Sequence, residues 1–179
     1  DMPDIKIVTI EWTGPYSFDD LHQDETEGVL YMITGRRRGP SPDAIQYVGK
    51  TKNDAYTRMS QRDHTEMDAR ITQNSRKYWI GRPKRRFHEN YDDILQLMEH
   101  LIIRHLVKMN EIDNRYVELL NQRKTQTNPT QSIGALNVWF KTNGEPYSIE
   151  FNTANQLLHD IIIYDGAQFI CAPTMKRID

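Results

Sequence analysis

Residues 5–10 form a β-branched run with alternating apolar and polar positions, which predicts a strand ahead of the Gly14-Pro15 turn. Residues 16–27 read as an acidic connector. An uninterrupted apolar run at 29–33 suits a buried strand, 35–42 carries the glycines and prolines of a loop, and 45–48 supplies a second strand. Together they predict an antiparallel pair with a basic tip. Asn53 is a plausible N-cap for a helix over 54–70 with Tyr56 and Met59 facing inward, and 77–80 is a short third strand ending at Gly81. The strongest periodicity lies at 91–109, where Ile94, Leu97, Met98, Leu101, Ile102, His105, Leu106 and Met109 follow the i, i+3, i+4, i+7 rule of an amphipathic helix.

Beyond a polar stretch at 122–132 containing Asn128-Pro129, the pattern changes. Segments 136–140 and 146–151 flank Asn143-Gly144, and 160–164 and 168–172 flank Asp165-Gly166, so each Asx-Gly pair predicts a hairpin. Residues 153–159 between them suit one or two turns of helix. The expected fold is α+β: a small antiparallel three-stranded sheet flanked by helices, with an N-terminal strand and a C-terminal β-hairpin extension. It divides into 1–27, a core at 28–121, and 122–179 packed on that core.

At 179 residues, 37% apolar and 27% charged, the chain suits one domain with an extension rather than two full domains. No segment approaches the roughly 18 apolar residues of a membrane span, so the expectation is a cytoplasmic protein with no membrane partner. Asp1 ahead of Met2 reads as a residue left by an expression tag before the natural start. The single Cys171 excludes an internal disulfide, and no Cys/His cluster offers a structural zinc site. Net charge is only −2, but it is segregated: residues 35–88 carry 14 Lys and Arg against 5 Asp and Glu, inside an otherwise acidic chain. Such a block fits a surface that meets polyphosphate, because neutralised phosphates release counterions; a merely solvated basic face is the competing account.

The chain lacks a P-loop, a Gly-x-Ser-x-Gly elbow, a His-Glu-x-x-His helix and a calcium loop. What remains is a tyrosine-rich strand pair followed by a basic helix. Gly28-Val29-Leu30-Tyr31-Met32-Ile33, then Gln46-Tyr47-Val48-Gly49-Lys50-Thr51, then Arg58, then Glu99 in an apolar helix, then Leu120-Asn121, resembles the GIY-YIG nuclease family in order and approximate spacing over residues 28–121. Leu30-Tyr31 stands at the end of the first family tripeptide and Tyr47-Val48-Gly49 at the second. Val29 occupies the place of the family's first glycine, and Arg62 the place where many members carry a histidine.

The resemblance implies a metal-dependent endonuclease cutting DNA phosphodiesters, of a restriction or defence type. The alternative is a catalytically weak nucleic-acid-binding module that keeps the fold. By analogy Glu99 holds one Mg²⁺ or Mn²⁺, Tyr31 is the general base, Tyr47 supports it or contacts phosphate, and Lys50 and Arg58 supply positive charge, Arg58 as the phosphate clamp. Gly49 and Asn121 take structural roles; Gly49 also suits a simple strand terminus and Asn121 a helix C-cap. His64, six residues after Arg58, faces elsewhere on a regular helix, which leaves its catalytic role open. Arg36, Arg37 and Arg38 at the hairpin tip, Arg62, and Lys84, Arg85 and Arg86 beyond the third strand, next to Arg82, are the expected DNA contacts. Double-stranded DNA is the expected partner, with RNA and a homodimer left open.

Overall fold

The computed structural model describes residues 6–83, 91–112, 114, 116–121, 136–142, 161–164 and 169–172. In chain order the elements are β1 (Lys6–Tyr16), a 3-10 turn (Asp19–Gln23), β2 (Val29–Gly35), β3 (Ala44–Thr51), α1 (Ala55–Met59), α2 (Arg62–Asp68), β4 (Lys77–Pro83), α3 (Tyr91–Ile112), β5 (Leu136–Thr142), β6 (Ile161–Tyr164) and β7 (Phe169–Ala172).

The fold is α+β. Its three expected strands pair antiparallel with β2 in the middle, in the order β3-β2-β4. The sheet is wider than three strands, because β1 pairs antiparallel with the far edge of β4 and β5 runs parallel to β1, followed by β6 and β7. Gly81, expected to end the third strand, instead sits opposite Trp12 inside the β1–β4 ladder. A Cβ there would lie 2.8 Å from the Trp12 ring, so the absent side chain is what lets the fully buried indole cross β4. β1 likewise runs through Gly14-Pro15, its register shifting between Thr13 and Tyr16 where a turn was expected.

Strand alternation divides the described core into two layers. Leu30 and Met32 of β2 point to one face, where Leu95, Met98, Leu101, Ile102 and Leu106 of α3 cover them. Val29, Tyr31 and Ile33 point to the other face, against Leu21 of the 3-10 turn, Ala55 and Met59 of α1, and Tyr78 and Ile80 of β4. The acidic connector is thus partly structured, with Leu21 fully buried.

Two further expectations are corrected. The helix over 54–70 is two short helices, and Asp54 rather than Asn53 caps the first, its carboxylate accepting from Thr57 N (2.8 Å) and Thr57 Oγ1 (2.6 Å). Met59 points inward as expected, but Tyr56 is 38% exposed. The β6 and β7 strands that flank Asp165-Gly166 pair antiparallel as expected, and β5 lies between β1 and β6; the pairing expected of 136–140 with 146–151 falls on residues outside those described. Residues 143–160, with the helix expected at 153–159, and the linker at 122–132 lie outside the described residues.

Candidate active site

The two motif tyrosines reach one face through an irregularity in β3. Ile33 pairs with Tyr47 but Thr34 pairs with Ile45, so Gln46 is an extra residue that reverses the alternation. Ile45 and Val48 therefore both face α3 while Tyr47 joins Tyr31. Hydrogen bonds hold the bulge: the buried Gln46 amide donates to Gly35 O (2.8 Å) and accepts from Arg37 Nε (2.8 Å), and its backbone carbonyl accepts from Leu120 N (2.8 Å).

Tyr31 and Tyr47 stack with ring centroids 5.8 Å apart and planes 7° from parallel. Gly49, the cross-strand partner of Tyr31, lies directly under its ring: a Cβ at 49 would be 2.4 Å from both Cζ and Oη of Tyr31. The glycine of the second tripeptide thus supplies the space for the phenol of the first, and it sits inside β3 rather than ending it.

His64 completes the cluster. Its Nε2 lies 2.9 Å from Tyr31 Oη, and its ring meets both tyrosines edge-on, with centroids at 5.5 and 5.4 Å. On an unbroken helix it would point roughly 240° around the axis from Arg58. The chain breaks instead at Ser60-Gln61: Ser60 ends α1 with its Oγ donating to Tyr56 O (2.8 Å), and Gln61 is extended (φ −72°, ψ 148°) before α2. The new axis turns His64 inward, where it is 2% exposed. Arg58 lies beside the Tyr31 hydroxyl and bonds Gln61 Oε1 and Asp63 Oδ2 (3.1 Å), with a quarter of its side chain exposed.

Burial pushes the Tyr31 phenol well above its ordinary value; Tyr47 adds to the shift and Arg58 opposes it. Burial opposes the charge of Arg58, but Tyr31 and Asp63 outweigh it and raise its pKa. Tyr31 therefore keeps its proton at any working pH unless an acceptor at hand takes it.

Tyr31, Tyr47, Arg58 and His64 thus come together. Lys50, one residue beyond Gly49, faces the α3 side and lies near Asp92. Glu99 is on α3 and only 3% exposed, although the margin of an apolar stripe is where an exposed carboxylate is ordinary. Asn121 is not a cap of α3, which ends at Ile112; its Nδ2 donates to Val48 O at the edge of β3. Arg36 and Arg38 are exposed, whereas Arg37 is engaged internally by Gln46 and the Glu118 carbonyl. Arg62 is solvated and pairs with Glu66 (2.9 Å), while Arg82 is bound to Asp24. Lys84, Arg85 and Arg86 lie outside the described residues.

Sequence reasoning missed Asp68 and Tyr78. His64 and Asp68 stand four residues apart, so α2 presents both to the sheet, His64 to Tyr31 and Asp68 to the Tyr78 hydroxyl (2.7 Å). The spacing was visible; the helix axis that gives it meaning was not.

Among the described residues no three His, Cys, Asp or Glu side chains converge as a metal cluster, and no helix is long and apolar enough to cross a membrane. Comparison of the chain with protein-family models, curated proteins and solved structures finds no match.

Proposed function

We propose that this chain is a metal-dependent endonuclease that hydrolyses DNA phosphodiester bonds. The observation carrying the reading is the 2.9 Å approach of Tyr31 Oη to His64 Nε2 beside the Arg58 guanidinium, three groups from three elements at one point. Phosphodiester hydrolysis needs a base for the attacking water and a cation for the charge that develops on the phosphoryl oxygens. Because burial disfavours the phenolate, Tyr31 is a useful base only if its proton leaves as the water's arrives. In the proposed step Tyr31 donates its proton to His64 Nε2 while its oxygen takes one from water, so the buried phenol never carries a full charge. Arg58, still partly exposed, contacts the phosphate, and Tyr47 keeps the Tyr31 ring in place by stacking.

A single carboxylate suits Mg²⁺, which takes one or two protein oxygens, and among the described residues no His/Cys cluster favours a softer metal. By the resemblance Glu99 would hold that ion, which would supply Lewis-acid stabilisation of phosphoryl charge, but Glu99 stands on α3, which covers the sheet face opposite Tyr31.

The test is plasmid nicking in Mg²⁺ or Mn²⁺ against EDTA. Tyr31→Phe, His64→Ala and Arg58→Ala are each expected to lower the rate by about 10²–10⁴, with Tyr56→Phe as an unaffected control. Glu99→Gln should abolish cleavage while DNA affinity, measured without metal, persists. Cleavage insensitive to EDTA, or undiminished by all four substitutions, rejects the site. DNA binding with no cleavage in either metal leaves the alternative, a nucleic-acid-binding module.

A further inference from the structure

The break at Ser60-Gln61 that turns His64 toward Tyr31 also brings two acceptors from the start of α2 onto the Arg58 guanidinium. Gln61 Oε1 accepts from Nη1, while the two Asp63 oxygens accept from Nη2 (3.1 Å) and, at a longer distance, from Nη1 (3.4 Å). Asp63 thus meets the end of the fork with both oxygens, a geometry that fixes a guanidinium in position and in plane. A guanidinium has five N–H donors. Gln61 and Asp63 occupy three of them, which leaves Nε–H and the second Nη2–H for the neighbouring Tyr31 hydroxyl and for a ligand. These two lie on one side of the fork and match two oxygens of a phosphate. Burial opposes the Asp63 charge, but Arg58 and then His64 outweigh it and lower the pKa, so the carboxylate is ionised at neutral pH.

We propose that Asp63 is a positioning residue for Arg58, holding the guanidinium end-on so that its Nε/Nη2 side stays open to a phosphate beside Tyr31; that this phosphate belongs to a scissile phosphodiester rests on the nuclease reading. The competing use of such a pair is occlusion, in which the carboxylate fills the place a phosphate takes. Two features favour positioning. Asp63 engages the end of the fork, whereas an occluding carboxylate belongs on the Nε/Nη2 side. Gln61 and Asp63 also flank the start of α2, so one turn of backbone fixes the acceptors on Arg58 and the imidazole on Tyr31 together. A guanidinium released from this hold swings relative to the Tyr31–His64 pair, and a misplacement of about 1 Å lowers a rate by as much as ~10²-fold. The Asp63 side chain is 64% exposed, and a pair this open contributes little to folding. Its removal therefore separates alignment from stability.

Plasmid nicking and guanidinium NMR on the full chain test this independently. Asp63→Ala is expected to lower kcat about tenfold with KM changed less than about twofold, while the melting temperature moves by less than about 4 °C. Asp63→Glu should recover most of the rate. Added to Arg58→Ala, Asp63→Ala should change the residual rate less than about twofold, because it acts through the guanidinium. A fall in KM at unchanged kcat makes Asp63 an occluding group and overturns the proposal, as does a rate indifferent to Asp63→Ala or a further tenfold loss when Arg58 is already gone. In the ¹⁵N-labelled chain a held guanidinium gives separate Nη2 proton signals, because rotation about its Cζ–Nη2 bond is slow, and Asp63→Ala should merge them. Dimethyl phosphate, a phosphodiester, should shift the Arg58 Nε–H signal of the unsubstituted chain and leave its Nη2 signals separate. Merging on addition of dimethyl phosphate, an unmoved Nε–H signal, or separate signals surviving Asp63→Ala overturns the positioning role. The expected spectra without nicking in Mg²⁺ or Mn²⁺ keep Asp63 as the residue that positions Arg58 and reject the nuclease; nicking that is lost in Arg58→Ala but indifferent to Asp63→Ala does the reverse.

Discussion

Replacing Gly49 with alanine tests the geometry of the tyrosine cluster independently of what the cluster does. The new Cβ would stand 2.4 Å from Cζ and Oη of Tyr31, roughly 1 Å inside an ordinary contact. The phenol has little room to yield, because Tyr47 stacks on it, His64 meets its edge, and it is 2% exposed. Overpacking of this kind costs about 1–3 kcal/mol. For a chain of this size that lowers the melting temperature by about 3–9 °C. Any relief obtained by moving the ring lengthens the 2.9 Å contact to His64, so the His64 ring nitrogen resonances should shift even where little stability is lost. Urea denaturation of Gly49→Ala, Tyr31→Leu and the double variant gives the coupling. With the ring removed the methyl fits, so the double variant should be at least about 1 kcal/mol more stable than the two single effects added together. A loss under about 0.5 kcal/mol in Gly49→Ala, unchanged His64 signals and additive effects would refute the claim that Gly49 exists to seat Tyr31.

The arginines of the hairpin tip should separate by role. Arg36→Ala and Arg38→Ala are each expected to flatten the log–log salt dependence of DNA binding by about 0.9, whereas Arg37→Ala should lower the urea midpoint and leave the slope alone; the opposite partition overturns the assignment. Asp54→Ala should cost about 1 kcal/mol in the same denaturation assay through loss of the α1 cap. Burial slightly opposes the Asp54 charge, but hydrogen bonds from Thr57 outweigh it and depress the folded pKa. The cap's contribution is therefore full above the unfolded value near ~3.9 and lost as pH falls through the folded one, so the two melting curves should converge in acid; a constant gap down to pH ~2 contradicts this.

The elements legible in the sequence are those whose evidence is local. The run at 29–33, the strand at 45–48 and the seven-residue rhythm of 91–109 each state their own burial, and α3 extends only three residues beyond that rhythm. The parallel pairing of β1 with β5 joins segments about 130 residues apart and leaves no mark in either. Gly81 was legible as a glycine but not as the crossing point of Trp12, because that meaning belongs to the partner strand.

The candidate site is where local rules failed twice, and both failures point to the same place. Strict alternation along β3 would put Tyr47 and Ile45 on one face; the extra residue Gln46 separates them and delivers Tyr47 to Tyr31. Strict helical periodicity after Asp54 would carry His64 away from Arg58; the break at Ser60-Gln61 brings it to within 2.9 Å of the Tyr31 oxygen. Each irregularity forgoes regular backbone hydrogen bonding and is held by side-chain bonds of its own, Gln46 to Gly35 and Arg37, Ser60 to Tyr56. A core needs neither departure, since an apolar residue at 47 or 64 would pack as well without a hydroxyl–imidazole contact in the interior. Two independent distortions converging on one polar cluster are what a sequence selected for chemistry as well as packing is expected to carry.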